Sequence, residues 1–204
     1  YPAPDGVDLE VGGTVEDQGD AFGDLGTLLI LIVILVYIVM ATQFESLKFP
    51  FIIMFTIPFA FTGVFLALWM TSTPLSLIAL IGAIMLVGIV TKNGIVMVDY
   101  MNLLIERGSG VFDAVIAGGK SRLRPVLMTS FTTILGMLPL AIGTGAGSET
   151  WQPMGIAVIG GLTFSTILTL FIVPVLYSIL VNRSQRKERE KLARLSAEHQ
   201  ASKH

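Results

Sequence analysis

Lys92 is the residue in this sequence best placed to do chemistry. It stands in the run Gly88-Ile89-Val90-Thr91-Lys92-Asn93-Gly94-Ile95-Val96-Met97-Val98-Asp99-Tyr100. Eight positions separate it from Tyr100. In a helix rising about 1.5 Å per residue, that places the ammonium roughly 12 Å inside the end of the run. If the run crosses a bilayer, a lysine near its centre costs on the order of 2.5–3.5 kcal/mol on insertion. Such a charge needs a carboxylate partner or a water-filled pocket. Asp99 lies on the same face but about 10 Å along the axis, too far for direct pairing and close enough to the interface to be solvated. The remaining acidic residues fall in loops or outside the apolar runs. The partner carboxylate is therefore expected on a helix that this sequence does not contain. The alternative is a lysine that snorkels to the inner headgroups, although its stem covers only about half the distance.

A second polar group lies at Thr129, Ser130, Thr132 and Thr133. Thr129, Thr132 and Thr133 share a helical face at i, i+3, i+4. Counted from Pro125, they lie roughly 6–12 Å deep, overlapping the depth of Lys92. Hydroxyls there can bond an ammonium, hold water or pass a proton. They can equally serve as small residues at a helix interface. Asn93 either orients Lys92 or satisfies backbone. Gly82, Gly88, Gly94, Gly155, Gly160 and Gly161 predict close helix approach and carry no chemistry.

The elements that must position these residues follow from composition. Of 204 residues, 53% are hydrophobic and 14% charged, against about 25% charged in a soluble domain. Mean hydropathy is +0.77. A net charge of -2 offers no basic excess for nucleic acid. With no cysteine, disulfides and thiolate metal sites are excluded. His199 and His204 are too peripheral for a histidine metal centre, and no phosphate loop or hydrolase triad occurs. No cofactor and no enzymatic activity are expected.

No charged residue occurs between Lys48 and Lys92, Arg124 and Glu149, or Glu149 and Arg183. Spans of about 20 apolar residues read as transmembrane helices. The sequence predicts an all-α membrane protein with five such helices, at about 25–42, 51–70, 74–100, 125–142 and 153–181, with Pro58, Pro139 and Pro174 inside them. Residues 1–23 and 183–204 flank a membrane domain over 24–182. Val7, Leu9 and Val11 alternate with polar neighbours as in a strand, and a lone strand needs a sheet from elsewhere. The segment Val111–Ala117 reads as a short amphipathic helix on the inner surface. The first 24 residues carry seven acidic and no basic residues, whereas residues 107–124 and the tail are basic. The positive-inside rule then puts the N-terminus outside and the C-terminus in the cytoplasm, which five crossings satisfy. The opening Tyr-Pro-Ala-Pro-Asp has no initiator Met or signal peptide, so the chain reads as a piece of a longer protein.

Several strings together resemble the resistance–nodulation–division efflux pumps. They are Gly23-Asp24-Leu25 leading into an apolar helix that ends Ala41-Thr42-Gln43-Phe44-Glu45-Ser46-Leu47, Gly88–Tyr100 around Lys92-Asn93, and Arg122-Leu123-Arg124-Pro125-Val126-Leu127-Met128-Thr129-Ser130. Gly143–Glu149 and Phe171-Ile172-Val173-Pro174-Val175-Leu176-Tyr177 complete the pattern over nearly the whole chain. The similarity is greatest to the hydrophobe/amphiphile branch, the inner-membrane permeases of tripartite multidrug pumps.

That resemblance implies a C-terminal part of a drug/proton antiporter in the bacterial inner membrane: the end of a periplasmic domain followed by five of twelve helices. It implies a proton relay in which Lys92 pairs with two aspartates of the missing N-terminal half, with Thr129, Asn93 and Arg122 alongside. It also implies a homotrimer working with a periplasmic adaptor and an outer-membrane channel, and contact with membrane lipid. Rival readings are a metal or protein-export transporter of the same superfamily, or a fragment that is inactive alone.

Overall fold

The protein is described here from a computed structural model, over residues 14–143, 145 and 147–201 for the backbone and within 17–183 for side chains. All regular structure among them is helical: α1 Thr14–Phe44, α2 Lys48–Met54, α3 Ile57–Met70, α4 Leu77–Glu106, α5 Val111–Ile142 and α6 Ser148–Ala201. The expected strand at Val7–Val11 lies outside the described residues, as do the side chains of His199 and His204. Among the described residues, five stretches are long and apolar enough to cross a membrane, with α2 and α3 together making the second. A helix satisfies its own backbone, which is what lets such runs enter hydrocarbon.

α1 begins earlier than the predicted span, at Thr14, α4 and α6 run further, to Glu106 and Ala201, and two further differences from the sequence reading fall at prolines. The second span is not one helix with Pro58 inside it. It breaks at Phe55–Thr56, and Pro58 sits in the first turn of α3. A proline has no N–H for the carbonyl four residues back, and its ring collides with that carbonyl. The Thr56 amide and hydroxyl both donate to the Ile53 carbonyl, at 3.0 and 2.6 Å. The second difference is at Pro125. The segment from Val111 is not a separate surface helix but the first turns of α5, which continues through Pro125 to Ile142. Val111, Ala114 and Gly118 are buried. A Cβ on Gly118 would lie 2.6 Å from Met101 Cγ, so this stretch packs on α4 rather than lying free. Pro139 and Pro174 do lie inside helices.

α6 is the hub, packed against α3, α4 and α5. Near the α3–α4 turn, buried Ala60, Val64 and Leu68 of α3 meet Ala83 and Leu86 of α4 and Ala157 and Leu162 of α6. Glycines set the spacing. A Cβ on Gly160 would lie 2.1 Å from Ala67 Cβ, and one on Gly161 2.1 Å from Leu86 Cδ2. Toward the α4–α5 turn a second cluster holds Met40, Ile53, Met97, Met101 and Tyr177. Phe49 stacks on Tyr177 with ring centroids 5.6 Å apart. Gly143 ends α5 with φ 71°, a left-handed cap suited to glycine.

Candidate functional site

Lys92 sits near the midpoint of α4, and the helix divides its neighbours sharply. Val90, Thr91, Asn93 and Gly94 are buried, whereas Lys92 is exposed. Successive helical residues point about 100° apart, so one residue can leave the packed face while both neighbours stay in it. Gly94 is held against Ile53 of α2, with room for no Cβ, which fixes the packed face. The Thr91 hydroxyl is spent on the Val87 carbonyl at 2.6 Å. Asn93 is 9% exposed and faces the packed side, so the two neighbours diverge.

The Lys92 stem lines a groove of about 350 Å³ between α1 and α4. Leu35, Val36, Val39 and Met40 form the α1 wall, and Gly88 and Ile95 lie beside Lys92 on α4. No carboxylate among the described residues pairs with the ammonium, and Asp99, seven residues on, is itself exposed. An apolar groove supplies none of the oxygen that an ammonium in hydrocarbon demands.

On α5, Thr129 and Thr132 are exposed and Thr133 half-buried. Each hydroxyl donates to its own helix: Thr129 to Val126 O at 2.9 Å, Thr132 to Met128 O at 2.8 Å, Thr133 to Thr129 O at 2.9 Å. With the proton so engaged, the oxygen lone pairs remain available to a cation or water. Ser130 turns the opposite way. It is 3% exposed and shares a 2.9 Å hydrogen bond with Thr166 of α6. It therefore packs helices together, while Thr129 is exposed on another face of α5.

Arg122, the fourth predicted residue, is held to α4. Its guanidinium carbon lies 4.4 Å from the centroid of the Tyr100 ring. Its Nε is buried and makes no hydrogen bond among the described residues. Of the four predicted residues, Lys92 and Thr129 thus share exposure without a contact between them, Arg122 sits against Tyr100, and Asn93 belongs to the packed interior. Two side chain–side chain hydrogen bonds between helices escaped the sequence reading. These are Ser130 with Thr166, and the Tyr177 hydroxyl donating to Asn102 Oδ1 at 2.5 Å. The hydroxyl residues Thr163, Ser165, Thr166 and Thr169 in a largely apolar run were the available signal for the first. No group of three or more metal-ligating side chains occurs among the described residues.

Residues 2–181 match the AcrB/AcrD/AcrF family. The chain is 42% identical over 163 residues to the multidrug resistance protein MdtC of Erwinia tasmaniensis, covering 79% of this chain and 16% of that protein. It is 38% identical over 185 residues to the cobalt-zinc-cadmium resistance protein CzcA of Cupriavidus metallidurans, covering 91% of this chain and 17% of that one. The crystal structure of a heavy metal efflux pump superposes with a TM-score of 0.76 at 30% identity, over 87% of this chain and 18% of the pump. The chain thus spans less than a fifth of the length of the proteins it matches.

Proposed function

The chain belongs to the AcrB/AcrD/AcrF family of resistance–nodulation–division transporters, and from that premise we propose that it is the C-terminal part of a proton-driven permease exporting hydrophobic or amphiphilic compounds, with Lys92 in the proton relay. The observation that carries this reading is Lys92 itself: an ammonium in an apolar span, exposed on one flank, with no carboxylate partner among the described residues. The counter-charges are two carboxylates on the other half of the complete transporter. When they take up protons, their attraction for Lys92 falls. The ammonium then turns to hydroxyl oxygen such as that of Thr129, and the favoured packing of α4 changes. A guanidinium does not pass protons, so Arg122 acts through the field of its charge. The basic residues after α4 and from Arg183 onward support a cytoplasmic position for those ends, and the acidic N-terminus supports an outside position. In the bacterial inner membrane the complete protein forms a homotrimer and docks a periplasmic adaptor and an outer-membrane channel.

A second reading is metal export, favoured by the likeness to CzcA and to the heavy metal efflux pump. One experiment addresses both. Lys92→Ala is introduced into the full-length transporter, and ethidium and zinc accumulation are measured in cells otherwise lacking such pumps. The expected result is low ethidium with the wild type, and with Lys92→Ala the level of cells carrying no transporter, at normal membrane abundance. Full ethidium export by Lys92→Ala would remove Lys92 from the relay, and low zinc with unchanged ethidium in the wild type would replace the drug reading by the metal one. Expressing residues 1–204 alone tests whether this part has activity of its own.

A further inference from the structure

Arg122 presents a problem that its place in the relay does not solve. A guanidinium cannot release its proton in a protein, so its effect depends entirely on where the charge stands. An acidic partner would ordinarily fix that position. Among the described residues no carboxylate pairs with Arg122, and its buried Nε finds no acceptor. What it does have is the face of Tyr100, 4.4 Å away on the neighbouring helix. Arginine stacks well on aromatic faces because the planar ion is weakly hydrated, and a distance under about 6 Å is within the attractive range.

The platform under this stack is closely packed. A Cβ on Gly118 would lie 2.6 Å from Met101 Cγ, and one on Gly119 4.0 Å from Met97 Cε, so α4 and α5 touch within a turn of Arg122 and Tyr100. Met97 and Met101 are fully buried. Tyr100 also stands on the same helix as Lys92, about two turns away. Any displacement of α4 that carries Lys92 therefore carries the ring beneath Arg122.

We propose that Tyr100 is a positioning residue of the relay, its ring tying the Arg122 guanidinium to α4 so that this cation follows the helix that bears Lys92. The inference rests on the roles given to Lys92 and Arg122 under Proposed function. It assigns to Tyr100 no contact with a proton or a substrate.

The test uses the full-length transporter, with ethidium as the probe and membrane abundance checked for every variant. Tyr100→Leu removes the π face while keeping apolar bulk, and Tyr100→Phe keeps the face while removing the hydroxyl. Ethidium export should fall about tenfold in Tyr100→Leu, the size of one partly desolvated cation–π contact. Tyr100→Phe should stay within about twofold of the wild type, since the ring is retained. In an Arg122→Leu background, Tyr100→Leu should add no further loss. Equal losses in Tyr100→Leu and Tyr100→Phe, or additive losses with Arg122→Leu, would overturn the proposal. Wild-type export by Arg122→Leu would instead overturn the relay role of Arg122. Solid-state NMR of arginine-labelled protein tests the stack independently of transport. The Arg122 Hε resonance should carry an upfield ring-current shift that Tyr100→Phe keeps and Tyr100→Leu loses, and an unchanged resonance in Tyr100→Leu would refute the placement.

Discussion

α1 and α6 are both apolar spans, yet they do opposite things. α1 has a mean hydropathy of 2.8 over its most apolar stretch and α6 one of 2.3, but only 6% of that stretch is buried in α1 against 50% in α6. The more hydrophobic helix is the less packed. In hydrocarbon, apolar side chains gain little by leaving lipid for protein, so contact is decided by how closely backbones can approach and by hydrogen bonds between helices. α6 carries Gly155, Gly160, Gly161, Ser165 and Thr166, whereas α1 presents Leu28, Ile30, Leu31, Ile34 and Leu35 outward. The same contrast divides α4 along its length. Its small and buried side meets α2, α3 and α6, and its other side offers Lys92 to the groove beside α1.

Breaking the packed side should have the largest effect. Gly161→Ala puts a Cβ 2.1 Å from Leu86 Cδ2 and 3.1 Å from the Ala60 carbonyl. Over-packing of this kind costs about 1–3 kcal/mol, read as a lowered unfolding midpoint in detergent. Gly88→Ala, with nothing within 4 Å, should be neutral or stabilising by up to about 1 kcal/mol through helix propensity. If both substitutions behave alike, the distinction between the sides collapses. Next in size is Tyr177→Phe, which leaves the Asn102 carbonyl oxygen unpaired beside a fully buried ring and should cost about 1–2 kcal/mol. Ser130→Ala removes one interhelical hydrogen bond, worth about 0.6 kcal/mol on average in membrane helices. Smallest is Thr169→Val. The Thr169 hydroxyl is buried without a partner among the described residues, so replacing it by a methyl of equal shape should leave stability unchanged or slightly raised. A marked loss would mean that this hydroxyl holds a bound water.

The spans were legible because charge is excluded from hydrocarbon, and the gap from Lys48 to Lys92 announces membrane without any alignment. Their ends were less so. Pro125 reads as a start, but a helix can absorb one missing hydrogen bond when Val111, Ala114 and Gly118 anchor the preceding turns on α4. Pro58 reads as interior, yet the chain breaks one turn earlier to accommodate it. At the candidate site, the place of Lys92 inside a long apolar helix was legible from the sequence. The separation of Lys92 from Asn93 and of Thr129 from Ser130 was not, because it depends on which face each helix turns to its neighbours. The pairing of Arg122 with Tyr100 joins positions 22 apart across a turn, and no spacing rule within one helix reaches that far.

The Gly160–Ala67 and Gly161–Leu86 approaches have a mechanical consequence. Meshed teeth with no clearance cannot slip past one another, so α3, α4 and α6 are obliged to travel together as one block. α5 is tied to the same block, because a Cβ on Gly155 would lie 2.7 Å from the Ala141 backbone nitrogen, so any relative motion in this part of the molecule runs along the loosely seated surface of α1, the bearing on which the block turns.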